Sequence, residues 1–254
     1  MSDWGKIYCS TWWGSPEPQQ YDRLVTNDVL QSVPDCGGTP VEPDERWFLN
    51  VNITASSNTY VNLTPVLPIN MSVKTTINYL MYISSNWLEV TNMDVYSNPT
   101  NLIYTRVRSG SYAVSPLRMR WGGTGPNVNF NGLQTQTWVS VNEVHNLVSG
   151  ELYLTVIDLT NSVTLFDGAV TGFGTTGTVS SINLGIDTAL SSNNFQGYIA
   201  NFKIYDETDT LVNCWRIDDN STTIANDCGG TDGTLINSGY EWVYTTNPLA
   251  GQPL

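Results

Sequence analysis

From Trp47 onward the chain is a succession of short runs of β-branched and aromatic residues, broken about every eight to twelve residues by Asn, Gly, Ser and Pro. Stretches such as Thr-Trp-Val-Ser-Val at 137–141 alternate apolar and polar groups. A period of two places successive side chains on opposite faces of a strand, and no segment shows the 3.6-residue period with caps that a helix needs. Candidate strands lie at 47–53, 59–64, 71–83, 87–95, 101–108, 111–120, 137–145, 151–158, 162–167, 181–185, 195–205, 211–217 and 232–236, with one short helical turn near 142–147. Turn chemistry separates them: Ser-Asn-Pro at 97–99, Arg-Ser-Gly at 108–110, Gly-Gly-Thr-Gly-Pro at 122–126, Val-Ser-Gly at 148–150 and Asp-Gly at 167–168. Many short strands with frequent turns predict an all-β protein, an antiparallel two-sheet jelly-roll sandwich. A propeller or solenoid would repeat a unit, whereas only Asp-Cys-Gly-Gly-Thr occurs twice, at 35–39 and 227–231.

Residues 1–46 read differently. Ser-Pro-Glu-Pro, Pro-Asp-Cys-Gly-Gly and Thr-Pro-Val-Glu-Pro-Asp-Glu interrupt any period, and only 21–25 has the character of a regular element. This segment is expected to be an irregular N-terminal arm used for attachment, with Trp4, Trp12 and Trp13 as its aromatic anchors. The sandwich is expected over 47–254, including C-terminal strands across 211–243.

Charge excludes one class of partner. Ten basic residues stand against 23 acidic ones, a formal net charge of −13, and phosphate recognition needs a basic face. The one local group, Arg106, Arg108, Arg118 and Arg120, reads as solvated strand faces, so no nucleic-acid partner is expected. No apolar run approaches the ~20 residues of a membrane-spanning helix. The start, MSDWGKIYCSTWWGS, lacks the basic-then-apolar pattern of a secretory signal, so cytosolic synthesis without membrane insertion is expected. Sequons such as Asn52-Ile53-Thr54 and Asn220-Ser221-Thr222 then read as Asn-rich strands and loops.

Cys9, Cys36, Cys214 and Cys228 allow three pairings, and cytosolic synthesis makes reduced thiols the expectation. The two Asp-Cys-Gly-Gly-Thr stretches are read as reduced structural turns, each followed by a Trp-bearing segment (Trp47, Trp242), and neighbouring if the first and last strands of the sandwich lie side by side. Zinc is set aside, because the Cys spacing is wrong and His145 is the only histidine.

The ordered series Thr-Trp-Val-Ser-Val at 137–141, Leu-Tyr-Leu at 152–154, Leu-Phe-Asp-Gly-Ala-Val at 165–170, Ile-Asn-Leu-Gly at 182–185 and Phe-Gln-Gly-Tyr-Ile-Ala-Asn-Phe-Lys-Ile-Tyr-Asp at 195–206 resembles the concanavalin A-like lectin/glucanase superfamily, in its laminin-G-like and pentraxin-like branch. Residues 211–243 resemble a Trp- and Gly-rich segment of the same branch that often opens the domain. Its placement at the end resembles bacteriophage virion proteins of this fold. In residue terms, Asp167-Gly168 is a type I′ hairpin signal. Phe195, Tyr198, Ile199, Phe202 and Ile204 are inward apolar groups, and Gly197 permits a bulge or a close approach.

Catalytic chemistry is not found. A glucanase of this superfamily needs two carboxylates on one strand face, and no Glu-x-Asp strand exists. His145 beside Glu143 reads as a satisfied strand histidine rather than a base. The resemblance brings calcium as a cofactor alternative, with Asp218, Asp219, Asn220, Asp227 and Asp232 as candidate oxygens, although Asp and Asn also cap turns. Trp87, Tyr96, Tyr112 and Trp121 are the candidate sugar-stacking residues, on the reading that they sit in exposed loops. The resulting expectation is a non-enzymatic structural protein of a bacteriophage virion: a capsid decoration, fibre or tail appendage subunit that contacts other virion proteins. By the resemblance it is a homo-oligomer, three-fold in a fibre or cement protein. The alternative is a module recognising a host-surface glycan, and after it a polysaccharide-degrading enzyme.

Overall fold

The structure is a computed structural model that describes residues 4–9, 19–24, 45–51, 58–70, 72–84, 92–100, 102–108, 116–146, 149–186 and 194–250. The chain divides into two compact units, Met1–Asp44 with Leu249–Leu254, and Glu45–Pro248.

In the first unit, β1 (Trp4–Cys9) pairs antiparallel with β2 (Gln19–Leu24), Trp4 opposite Leu24 and Cys9 opposite Gln19. A paired hairpin therefore stands where the sequence suggested irregular chain. Trp12, Trp13, Cys36 and the first Asp-Cys-Gly-Gly-Thr lie outside the described residues.

The second unit holds β3 (Glu45–Asn50), β4 (Tyr60–Leu63), β5 (Ile69–Asn70), β6 (Thr75–Ile83), β7 (Asn92–Ser97), β8 (Tyr104–Arg108), β9 (Leu117–Arg120), β10 (Asn127–Val128), β11 (Trp138–Asn146), β12 (Glu151–Asp158), β13 (Val163–Thr171), β14 (Thr178–Val179), β15 (Ile182–Leu184), β16 (Gly197–Tyr205), β17 (Leu211–Trp215), β18 (Thr223–Ile224), β19 (Gly233–Ile236) and β20 (Glu241–Thr246). Two antiparallel sheets of eight strands form the sandwich. The first runs β10-β9-β8-β7-β15-β4-β19-β18; the second runs β13-β12-β11-β6-β16-β3-β20, with β17 also paired to β16.

Alternation sorts the side chains. On the second sheet Ile77, Tyr79 and Met81 of β6, Val139 and Val141 of β11, and Ile199, Phe202 and Ile204 of β16 face the core. Val61, Leu63, Val107, Leu117, Met119, Ile182 and Leu184 meet them from the first sheet. Each side chain of this size contributes roughly 1.5–3 kcal/mol on full burial. Tyr198 departs from expectation: it pairs with Tyr82 and Asn50 and lies on the outer face.

Gly197 takes φ +143° as β16 enters the sheet, and a Cβ there would fall 1.8 Å from the Tyr82 carbonyl oxygen. Only glycine allows that approach. Past a bulge at Ala200–Lys203, β17 replaces β3 as the neighbour of β16. Buried Arg46 closes the split, donating to Asn201 Oδ1 at 2.8 Å and to the Arg216 carbonyl at 2.9 Å.

Three local expectations are overturned. Asp167-Gly168 is not a turn but the middle of β13, opposite Thr155 and Leu154. The Thr155 hydroxyl donates to Asp167 Oδ1 at 3.0 Å, and the chain reverses earlier, at 159–162, where Ser162 takes φ 55°. Residues 142–146 continue β11 rather than turning into helix. Cys214 and Cys228 are not reduced thiols: they form a disulfide, with Cα atoms 5.4 Å apart. Compartment argued for thiols, but β17 and the second Asp-Cys-Gly-Gly-Thr turn bring the two within bonding reach. The turn itself is as expected, with Gly229 at φ +79°. Its organiser is Asn226, whose Oδ1 accepts the backbone N–H groups of both Cys214 and Cys228. The last strand β20 pairs with β3, setting Trp242 opposite Leu49 and Tyr244 opposite Trp47.

Candidate functional site

Two of the four residues proposed from sequence for sugar stacking are core residues. Tyr96 is 1% exposed and Trp121 0%. Tyr96 follows the β7 bulge at Asp94–Tyr96 and points inward. Trp121 extends the inward alternation of Leu117 and Met119 and stacks on His145, with centroids 3.7 Å apart and planes 18° apart. Trp87 and Tyr112 lie outside the described residues.

Both core aromatics border a buried polar cluster on Glu143. Its Oε1 accepts the Tyr79 hydroxyl at 2.9 Å and the Thr105 hydroxyl at 3.0 Å; its Oε2 accepts the Tyr96 hydroxyl at 2.6 Å and lies 3.1 Å from His145 Nε2. Burial, and next the Glu143 carboxylate, hold the Tyr79 and Tyr96 hydroxyls well above the usual phenol range. Glu143 and His145 resemble an acid–base pair by type, but both are sealed between the sheets. Their contacts tie the two sheets together inside the core.

Three of the five candidate calcium oxygens serve other partners. Asp218 Oδ2 takes Arg216 Nε at 3.1 Å, Asp219 accepts the Ala225 N–H, and Asp232 accepts the Asn226 N–H. Partial burial raises the pKa of Asp219 and of Asp227, with Asp218 nearby adding to both. Among the described residues no group of three His, Cys, Asp or Glu side chains is placed to hold a metal. A cleft of about 330 Å³ between Leu67, Val73, Lys74, Tyr205 and Val212 has Asp206 on its wall. That carboxylate is turned to its own loop, accepting the Thr208 hydroxyl and the Thr208 and Thr210 N–H groups, which lower its pKa.

A different constellation lies on the outer face of the second sheet. Register aligns Trp138 with Tyr82, Tyr82 with Tyr198, Tyr198 with Asn50 and Asn50 with Glu241, one row across five adjacent strands. Tyr82 and Tyr198 stack at 5.0 Å with planes 25° apart, and Trp138 lies 5.4 Å from Tyr82 and 5.8 Å from Tyr198. Phe48 reaches the same cluster, 4.6 Å from Trp138. Small Ser140 and Ala200 lie between, so the large rings can lean together above them. Burial, then Tyr82 and Glu241, raise the pKa of the Tyr198 phenol.

Four residues along, a second row sets Asn142 opposite Asn78 and Asn78 opposite Lys203. The Oδ1 atoms of Asn50, Asn78 and Asn142 are buried and have no hydrogen-bond partner. An amide offers an acceptor on one side and two donors on the other, exchanged by a half-turn of the group. Outward positions of the three central strands β6, β11 and β16 carry no carboxylate: they are Thr76, Asn78, Leu80 and Tyr82; Trp138, Ser140, Asn142 and Val144; Tyr198, Ala200, Lys203 and Tyr205. The half-buried aromatics beside unpartnered amides form a surface suited to apolar ring faces that bear hydroxyl groups.

Sequence reasoning missed this row because its members come from residues 50, 82, 138 and 198, which only strand register unites. The available signal was parity: Trp138 is out of phase with the inward Val139 and Val141.

No protein-family model and no curated protein matches the chain. Among solved structures it is similar to a Bacteroides ovatus protein provisionally described as carbohydrate binding, at 15% identity and TM-score 0.51, covering 80% of this chain. The chain spans 60% of that protein's length. It is also similar to the heptameric SAP-like pentraxin of Limulus polyphemus, at 10% identity and TM-score 0.44, over 82% of this chain and 97% of that one. Mouse laminin α1 domains LG4-5 align at 12% identity and TM-score 0.42, over 67% of this chain and 43% of that one. Two antiparallel eight-stranded sheets packed face to face in this way are the concanavalin A-like lectin/glucanase fold.

Proposed function

We propose that this chain is a non-enzymatic carbohydrate-recognition protein that binds an oligosaccharide along the outer face of the second sheet. The observation that carries the reading is the row Trp138–Tyr82–Tyr198–Asn50 with the unpartnered amides of Asn78 and Asn142 beside it. Aromatic faces take up the apolar side of a pyranose, and amides exchange their missing hydrogen bonds for sugar hydroxyls. Two rows four residues apart are separated by about 13 Å along the strands, a span that suits a chain of sugars better than a single ring. The carboxylate-free central strands support binding over hydrolysis, because a glycosidase needs an acid and a second carboxylate across the bond.

The test is a glycan array followed by calorimetry on the full chain. Trp138→Ala and Asn142→Ala should each weaken the best ligand by about tenfold, with no reducing ends released. Absence of binding at millimolar sugar, or equal affinity in both variants, would sink the reading.

A second reading is a bacteriophage virion subunit, trimeric in a fibre or cement role, in which the N-terminal segment with Trp4, Trp12 and Trp13 attaches to other virion proteins. The division of the chain after Asp44 supports it. Normal occupancy on particles by chain lacking residues 1–44 would defeat it. The two readings are compatible, since an appendage can also recognise a surface glycan.

A further inference from the structure

Four of the ten basic residues of this acidic chain sit together: Arg106 and Arg108 on β8, Arg118 and Arg120 on β9. Pairing of the two strands sets Arg106 opposite Arg118 and Tyr104 opposite Arg120. Val107, Leu117 and Met119 alternate with them into the core. Arg106, Arg118, Arg120 and Tyr104 therefore share the outer face of the first sheet, and Asn127 of β10 extends the row opposite Arg118.

Three other cations in the unit have close carboxylates. Lys74 is held by Asp209, Arg216 by Asp218, and Arg106 grips fully buried Asp94 through two N–H groups. Arg118 and Arg120 form no ion pair with any described residue. Two such charges at alternate positions of one strand, beside a third across the ladder, repel one another. The net charge of −13 leaves acidic residues in surplus to neutralise them, yet among the described residues only Asp94 is placed nearby, and it is taken by Arg106. Two of the guanidinium groups are stacked: Arg106 and Arg120 lie over the Tyr104 ring at 4.8 and 5.3 Å from its centroid. Stacking fixes the plane of a guanidinium and leaves its N–H edge open.

We propose that Arg118 and Arg120, with Arg120 braced on Tyr104, form a second binding site that takes the carboxylate or sulfate groups of an acidic polysaccharide. The guanidinium fork matches a planar carboxylate or two sulfate oxygens with paired hydrogen bonds, and a fork already held on a ring loses little freedom on binding. Charge density selects a glycan over a nucleic acid. A duplex carries one charge per ~1.7 Å and binds through many phosphate contacts, whereas two unneutralised arginines on a strongly acidic protein suit a polymer with widely spaced charges. Tyr104, buried under two guanidinium groups, offers no face for a base. The site lies on the opposite side of the sandwich from the aromatic row and stands without it.

The experiment is calorimetry on the full chain with four probes: an oligogalacturonate, a sulfated glucan oligomer, the neutral glucan oligomer of the same length, and a single-stranded oligonucleotide. At least one acidic sugar oligomer should bind, more weakly as salt rises. Arg118→Gln with Arg120→Gln should reduce that binding by about tenfold or more. The uronate and sulfate arms identify which oxyanion is read. If the double glutamine variant melts early, Arg120→Lys keeps the charge, loses the fork, and should still weaken binding. No acidic binding at millimolar oligomer, equal affinity in folded arginine variants, or tighter binding of the oligonucleotide would each overturn the proposal. Loss of neutral-glycan binding in Trp138→Ala alone bears on the aromatic row and leaves this site standing.

Discussion

Replacing both Cys214 and Cys228 with serine isolates the contribution of the disulfide. The cysteines are 14 positions apart, and a bond closing a loop of about 15 residues removes enough unfolded-state entropy to stabilise the fold by about 3 kcal/mol. The native turn survives the substitution in part, because Asn226 still accepts the N–H groups of residues 214 and 228 and donates to Asn213 and the Thr231 carbonyl. Loss of the cross-link should therefore act mainly through the unfolded chain, leaving the folded spectrum intact. For a unit of this size each kcal/mol moves the melting temperature by about 2–4 °C, so the variant should melt about 6–12 °C lower. Calorimetry of the double-serine variant measures this without reducing any other cysteine. A shift within about 1 °C, or labelling of Cys214 by a thiol reagent in the native protein, would refute the reasoning.

Two further perturbations test the core. Glu143→Gln keeps the shape but turns one acceptor into a donor facing hydroxyls, whichever way the amide points. The four contacts on its two oxygens make a loss of about 2–4 kcal/mol the expected outcome in urea unfolding, and a loss under about 0.5 kcal/mol would contradict it. Alkaline pH tests the two tyrosines, whose pKa values are raised in the folded state. Below about pH 10 both states keep both protons and the full stability is present. Above it the unfolded chain releases them while the fold retains them, so stability falls by about 2.7 kcal/mol per pH unit for the pair. In a spectrophotometric titration two of the thirteen tyrosines should stay protonated until the protein unfolds; full ionisation of the native protein near pH 10 would contradict the burial of both.

Strands were legible where alternation was long and unbroken. The runs read at 137–145 and 151–158 are β11 and β12 to within a residue. Legibility failed where a local signal competes with a neighbour the sequence does not show. Asp167-Gly168 has turn chemistry, but Thr155 across the ladder supplies the hydrogen bond that a turn backbone would have supplied. Tyr96 and Trp121 stand next to Ser-Asn-Pro and Gly-Gly and so read as loop residues, yet Tyr96 points inward near the end of β7 and Trp121 continues the inward alternation just past β9. The disulfide was hidden for a similar reason. Fourteen positions of separation are compatible with any distance until β17 and the following turn fold back on one another. The aromatic row was hidden at the same level, because it is a property of register among four strands.

Register also decides which side chains β11 presents outward. On β11 the odd positions 139, 141, 143 and 145 face the core and the even positions 138, 140, 142 and 144 face outward. A slip of one residue would reverse the two sets. Glu143 and His145 would emerge as a carboxylate–imidazole pair on the outer face, while Trp138 and Asn142 would vanish between the sheets. Several interactions hold the observed register. β11 matches β6 over eight consecutive pairs and β12 over eight, without a bulge in either ladder. The hydroxyls of Tyr79, Tyr96 and Thr105 converge on Glu143 from both sheets, and Trp121 of the facing sheet covers His145. An inward Glu143 is costly unless all of these donors are present, and none of them is available on the outer side. The buried polar cluster thus acts as a key that admits one register, and that register puts aromatic rings and amides, with no acid among them, on the outward positions of the central strands.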